Sequence, residues 1–184
     1  MPKLVFCSKD PAYVPAETHD MVTALQQVGF IGDKWHSPES VSGERYLIGD
    51  SFLSQVTFMG CAPAIELEPI ADQPESTEFL HFEIEPLKSK VEFIRGSDHL
   101  ISCCPHCRQR HANWQTIPES LSYSCDKCHV ETHLSDYDWK NTAACGRFFI
   151  SLHGIYPQEA IPTSNILQEL KKISDAEWDY FYIQ

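Results

Sequence analysis

No apolar run in this chain approaches the ~18–20 residues that a bilayer-spanning helix needs. The first ten residues, Met1-Pro2-Lys3-Leu4-Val5-Phe6-Cys7-Ser8-Lys9-Asp10, hold too short an apolar stretch for a secretory signal. A cytoplasmic protein without membrane association is therefore expected. Basic charge is also scarce. Fourteen Lys and Arg stand against 26 Asp and Glu, for a net charge of −12. A nucleic-acid binder releases counterions from phosphates through a basic stripe. Only Arg108 and Arg110 suggest one, so nucleic acid is disfavoured as a partner. Glycine is limited to eight residues, which leaves little material for a phosphate cradle. There is no G-x-G-x-x-G, no phosphate loop, no G-x-S-x-G elbow and no H-E-x-x-H, and no internal repeat.

What the chain does have is cysteine, eight in 184 residues. In a small exported protein eight cysteines would suggest a disulfide framework. Four of these fall into two C-x-x-C pairs, Cys104-Pro105-His106-Cys107 and Cys125-Asp126-Lys127-Cys128. The gap between the pairs matches the C-x2-C…C-x2-C spacing of metal sites. Two residues between paired cysteines let a tight turn aim both sulfurs at one point. Two such turns supply the four corners of a tetrahedron, the geometry Zn2+ takes with thiolates at about 2.3 Å. Cys104, Cys107, Cys125 and Cys128 are thus the expected ligands of one Zn2+. Four protein ligands leave no open position, which argues against chemistry at the metal. Cys7, Cys61 and Cys145 read as small buried hydrophobes. Cys103 adjoins the first pair but has the wrong spacing for a tight turn.

Other chemistries compete for these residues. Cys125-Asp126-Lys127-Cys128-His129 spells the C-x-x-C-H of c-type haem attachment, but that attachment follows export. A redox dithiol belongs at the start of a helix that lowers the thiol pKa, and neither pair precedes an amphipathic helix. A zinc-loaded thiol switch that oxidises and ejects its metal is a further reading. His106, His111, His129 and His133 surround the cysteines. His129 and His133 would suit a second metal if helical, and His129 or His106 is expected to donate a hydrogen bond to a sulfur.

The knuckle segment resembles the zinc-ribbon family, over a minor part of the chain. It departs in one respect: Arg108 and His129 stand where zinc knuckles usually carry glycine. The chain as a whole resembles a group of uncharacterised bacterial proteins in Phe58-Met59-Gly60-Cys61-Ala62-Pro63, Ala144-Cys145-Gly146-Arg147-Phe148-Phe149 and Tyr180-Phe181-Tyr182-Ile183-Gln184. That resemblance implies no known activity.

Period-two and period-3.6 patterns predict an α+β fold, a mainly antiparallel sheet with two or three helices and an inserted zinc ribbon. Strands are expected at Lys3–Ser8, Glu44–Ile48, Phe52–Met59, Ala64–Pro69, Phe79–Glu85, Lys90–Arg95, Cys145–His153 and over the aromatic tail from Trp178. Pro15 opens a helix through about Val28, and Pro162-Thr163-Ser164 caps another over Asn165–Ile173. Residues 29–43 read as loop. Trp114–Ile117 and Leu121–Ser124 read as hairpin arms leading to the second knuckle. Residues 1–184 are expected to form one domain, with 97–134 as the insertion. From Glu66 to Glu85 run seven acids and no Lys or Arg, either a solvated sheet surface or a docking face for a basic partner.

The functional expectation is a zinc-binding protein-interaction or scaffold module with a structural four-cysteine site. The alternative is an enzyme with a cleft in the α+β body and a purely structural zinc. His81 with Glu83 and Glu85, and Asp136 with Asp138, are polar pairs that strand alternation and loop polarity already account for.

Overall fold

The computed structural model describes residues 1–36, 43–59, 65–69, 78–97, 100, 102–111, 114 and 117–184. In chain order the elements are β1 (Lys3–Ser8), α1 (Thr18–Gln27), β2 (Ile31–Trp35), β3 (Glu44–Ile48), α2 (Phe52–Gln55), β4 (Val56–Phe58), β5 (His81–Ile84), β6 (Glu92–Arg95), β7 (Ser102–Cys103), β8 (Arg110–His111), β9 (Ser122–Ser124), β10 (Glu131–His133), a 3-10 turn (Leu134–Asp136), β11 (Ala143–Gly146), β12 (Phe149–His153), β13 (Ala160–Pro162), α3 (Ser164–Ser174) and β14 (Trp178–Ile183). Among the described residues the fold is α+β with three helices, and the strands pair antiparallel.

Six strands form the main sheet in the order β14-β1-β12-β5-β3-β2. Strands before and after the cysteine pairs are therefore direct neighbours, as in Ile150 opposite Ile84. Alternation sorts their side chains onto two faces. Leu4, Phe6, Phe82, Ile150 and Leu152 face α1 and α3, which close the main core with Met21, Leu25, Ile166 and Leu170. Thr163 caps α3 by accepting a hydrogen bond from the Ile166 amide, and Asp175 ends it in the left-handed region with Lys171 and Lys172 in the last turn. These are the stop and start signals the residues advertise.

The opposite face is divided. On one half Val5, Cys7, Phe149 and Phe181 pack under Ile94 and Ala144 of the β6–β11 ribbon. The other side of that ribbon carries Phe93 and Cys145 into an aromatic cluster with Leu100, Trp114, Leu134, Tyr137 and Trp139. The β6–β11 ribbon is thus a spacer layer between sheet and cysteines. Gly96 ends its first strand, where an added Cβ would sit 1.7 Å from the Tyr182 carbonyl. That close approach lets the Gln184 amide reach the Gly96 carbonyl at 3.1 Å.

Several sequence expectations are corrected. Residues 31–35, read as loop, form β2. Gly32-Asp33 is a bulge rather than a turn, because Ile31 belongs to the core and Gly32 lies so close to the Ile48 carbonyl that a Cβ would meet it at 2.5 Å. Phe52–Met59 is not one strand. Its first four residues coil into α2, which seats Phe52 against Phe30 and Phe82. Residues 65–69 carry no strand, and Ala64 lies outside the described residues. Cys145–His153 is two strands, β11 and β12, broken at Arg147-Phe148. β9 pairs with β10, not with the stretch from Trp114, of which Gln115 and Thr116 lie outside the described residues. Cys61 lies outside them too. Among the described residues no helix is long and apolar enough to cross a membrane.

Candidate metal centre

Each cysteine pair sits in a turn built by the same hydrogen bonds. The Cys104 amide donates to Gln109 O at 2.8 Å, and the Arg108 amide donates to Cys104 O at 3.0 Å. In the second turn the Cys125 amide donates to Val130 O at 3.1 Å, and the His129 amide donates to Cys125 O at 2.8 Å. Closing these turns puts Arg108 at φ 61° and His129 at φ 58°, in the left-handed region. This is where glycine is commonly found, and both side chains tolerate it by pointing into solvent. Left-handed backbone costs a non-glycine residue about 1–2 kcal/mol, so Arg108→Gly and His129→Gly are each expected to stabilise the segment, by about 0.5–1 kcal/mol after glycine's greater unfolded freedom is offset. Urea titrations of the metal-loaded protein check this, and a loss of stability in both variants contradicts it.

The two turns bring four sulfurs together. All four lie within 4.8 Å of one another. Cys104 and Cys128 are 3.8 Å apart, Cys107 and Cys125 3.7 Å. A tetrahedron with metal–sulfur bonds of about 2.3 Å, the zinc–thiolate length, has edges of about 3.8 Å. The donor set is therefore spaced to hold a metal ion. Cys104 and Cys125 are buried, Cys107 and Cys128 half-buried. Amides of Cys128 and Lys127 donate to the Cys125 sulfur and bring its pKa down to about 6.

His111 supplies the imidazole beside the cluster, its Nε2 3.5 Å from Cys125 Sγ. The sequence pointed to His106 or His129 for this contact, but both are exposed. His111 is instead carried inward by β8, opposite Ser102. The helical spacing considered for His129 and His133 does not arise, since His133 lies in β10 and its Nδ1 caps the 3-10 turn by accepting from the Ser135 amide. Cys103 is half-buried in β7 and outside the sulfur cluster. Cys7 and Cys145 are buried, and burial pushes both thiols upward in pKa, Cys145 to about 12.

Aromatic rings wall the site. His111 lies 5.3 Å from Tyr123 and 6.1 Å from Trp114, and Trp114 lies 4.8 Å from both Tyr123 and Trp139. Tyr137 is buried, and burial followed by the neighbouring Cys104 and Cys125 pushes its phenol up to about 12.

The polar pairs named from sequence fall elsewhere. His81 is fully buried under the main sheet's second face, stacked on His153 with ring centroids 4.7 Å apart. Desolvation depresses its pKa to about 4, so it stays neutral near pH 7. His153 Nε2 lies 2.9 Å from Glu83 Oε2, out of line for a directed hydrogen bond. That contact, outweighing burial, holds Glu83 below the usual carboxylate range. Glu85 pairs with Lys3 at 2.7 Å and accepts from Ser151 Oγ at 2.8 Å. The face expected to be wet is thus largely buried and internally neutralised. Asp136 and Asp138 line a cleft of about 540 Å³ between the cysteine segment and β1–β14. Two of its carboxylates face lysines there: Asp138 with Lys140, and Asp179 with Lys9 at 3.9 Å. Among the described residues no histidine or arginine lines it.

Comparison with known proteins finds no matching family model, no matching curated protein and no matching solved structure. The resemblance to uncharacterised bacterial proteins has no support from it.

Proposed function

We propose that this chain is a zinc-stabilised protein-interaction or scaffold module of the cytoplasm, with Cys104, Cys107, Cys125 and Cys128 as a structural Zn2+ site. The observation that carries this reading is the gathering of four cysteine sulfurs within 4.8 Å of one another, two of whose six edges, 3.7 and 3.8 Å, match the edge of a zinc tetrathiolate. All four corners are protein thiols, so no position is left for water or substrate. A reducing compartment keeps such thiols available to metal. In this reading residues 97–134 are a zinc-ribbon insertion in a single 1–184 domain, and the ion organises the insertion rather than a reaction. The enzyme alternative draws less support, because two carboxylates of the polar cleft face lysines and no histidine or arginine among the described residues lines it.

When bound, zinc supplies charge neutralisation and a fixed tetrahedral anchor. The residues around it do the rest: amides of Lys127 and Cys128 and the imidazole of His111 lie against the Cys125 sulfur. Protein purified without added metal is expected to carry about one zinc per chain by elemental analysis. Substitution with Co2+ is expected to give the intense visible and thiolate charge-transfer bands of a tetrahedral four-thiolate site. A metal content near zero in folded protein, or octahedral cobalt spectra, overturns the proposal.

A further inference from the structure

Three of the six exposed large hydrophobics among the described residues gather at one place, far along the chain from the four clustered cysteines. Met1 is 54% exposed, Met59 56% and Tyr156 64%. Met1 and Tyr156 stand on the rim of a groove of about 490 Å³. Met59 is tied to that rim, its amide donating to Glu159 O at 2.8 Å. The floor is apolar, made by Phe79, Leu80, Ile65 and Pro2. Gly154 completes it at φ 88°, where a Cβ would press on Leu80 Cδ2 at 3.0 Å. The groove is held open by backbone bonds on both sides: Gly154 N to Pro2 O at 2.9 Å, and Leu80 N to Glu66 O at 2.8 Å.

The groove's charge is of one sign. Glu66, Glu78 and Glu159 line it, and among the described residues no lysine, arginine or histidine does. Glu159 uses one oxygen to accept the Tyr156 amide at 2.9 Å, which fixes the carboxylate at the rim. An apolar floor ringed by carboxylates suits a particular ligand shape. Lysine or arginine stems lie along the apolar surface while their charged heads meet the rim, and a bulky apolar anchor fills the floor.

We infer that this groove docks a basic amphipathic peptide segment of a partner protein, in which lysine or arginine flanks a large apolar residue. The inference rests on the interaction reading above and gives that reading a surface and a partner chemistry. A second copy of this chain would bring a further net charge of −12 toward the acidic rim, and anionic lipid headgroups would meet the same repulsion.

The test uses the metal-loaded full chain as bait for displayed short random peptides, alongside two variants. Glu66→Lys/Glu78→Lys/Glu159→Lys reverses the rim. Glu119→Lys/Glu131→Lys/Glu169→Lys makes the same change in net charge away from the groove. Enriched sequences are expected to be basic with an apolar anchor, to bind about tenfold or more weakly to the rim variant, and to bind the control within about twofold of the unaltered protein. If the rim variant fails to fold, Tyr156→Ala, together with peptide-induced amide shifts at Leu80 and Gly154 of the unaltered protein, takes its place. Enrichment of other sequences, or of basic ones indifferent to rim reversal, overturns the inference and leaves the interaction reading standing. No enrichment of any sequence overturns both. Self-association lost on rim reversal assigns the groove to a second copy and overturns the basic-partner inference.

Discussion

Replacing Cys125 with serine, or stripping the metal with a strong chelator, is expected to unfold the segment from Leu100 to Trp139 and leave the six-stranded sheet folded. Cys125 is a fully buried corner of the sulfur cluster and the one that His111 touches. Among the described residues the cluster that packs behind it holds seven buried ones, a small core set against the ordering entropy of the segment. Binding energy on the order of 10–16 kcal/mol, as for structural zinc in small peptides, then becomes folding energy of the segment. The main core is separate. Its residues lie between the sheet and α1 and α3, with the β6–β11 ribbon intervening on the other side. Hydrogen exchange distinguishes the two. The Leu134 amide, which donates to Leu121 O at 2.7 Å, and the Cys104 amide are expected to lose protection. The strand amides of Leu4, Ile150 and Leu152 are expected to keep theirs. Fluorescence of Trp114 and Trp139 should shift to the red while that of Trp178 does not. Equal loss of protection in both regions would show one cooperative unit, and no loss in either would show that the ion does not organise the segment.

Trp139→Ala is expected to cost about 3–5 kcal/mol, the range for truncating a large buried aromatic. Trp139 lies between the ribbon and the knuckles, with Phe93 at 4.8 Å on one side and Trp114 at 4.8 Å on another. Its Nε1 donates to the Leu134 carbonyl at 2.7 Å in a buried bond. Truncation opens a cavity and removes the shorter of two hydrogen bonds to that carbonyl, which keeps only the Tyr137 amide at 3.4 Å. Trp139→Phe keeps most of the ring and loses only the hydrogen bond, so a smaller cost, about 1–3 kcal/mol, is expected. Urea titration at constant slope measures both. Competition against a chelator should show weaker metal retention in the alanine variant, because Trp139 supports the rings that wall the sulfurs. A cost below about 1 kcal/mol for Trp139→Ala would mean that the aromatic cluster does not couple the ribbon to the metal centre.

The cysteine knuckles were legible because their geometry is local. Four residues fix each turn, and the spacing alone brings two sulfurs to one point. The neighbouring imidazole was not legible. Which of four histidines faces Cys125 depends on the β7–β8 register, and two-residue strands leave no periodic trace in a sequence. Likewise Gly32-Asp33 has the composition of a turn, and only the demand that Ile31 reach the core makes it a bulge. Phe52–Met59 has the composition of a strand, and only the position of Phe30 and Phe82 coils its first residues so that Phe52 fits between them.

The sequence by itself determined which four cysteines cluster, the strand positions of β1, β3, β5 and β14, and the cap of α3, since each depends on residues a few positions apart. The tertiary structure decided which acids are neutralised and which are left at the surface. Glu83 and Glu85 meet His153 and Lys3 only because β5 and β1 flank β12 in the sheet. Glu66 and Glu159 share a groove because β4 pairs with β13 and residues 65–69 bond to Leu80. Contacts between residues so distant in the chain are chosen by packing and strand register, which no short window of sequence encodes.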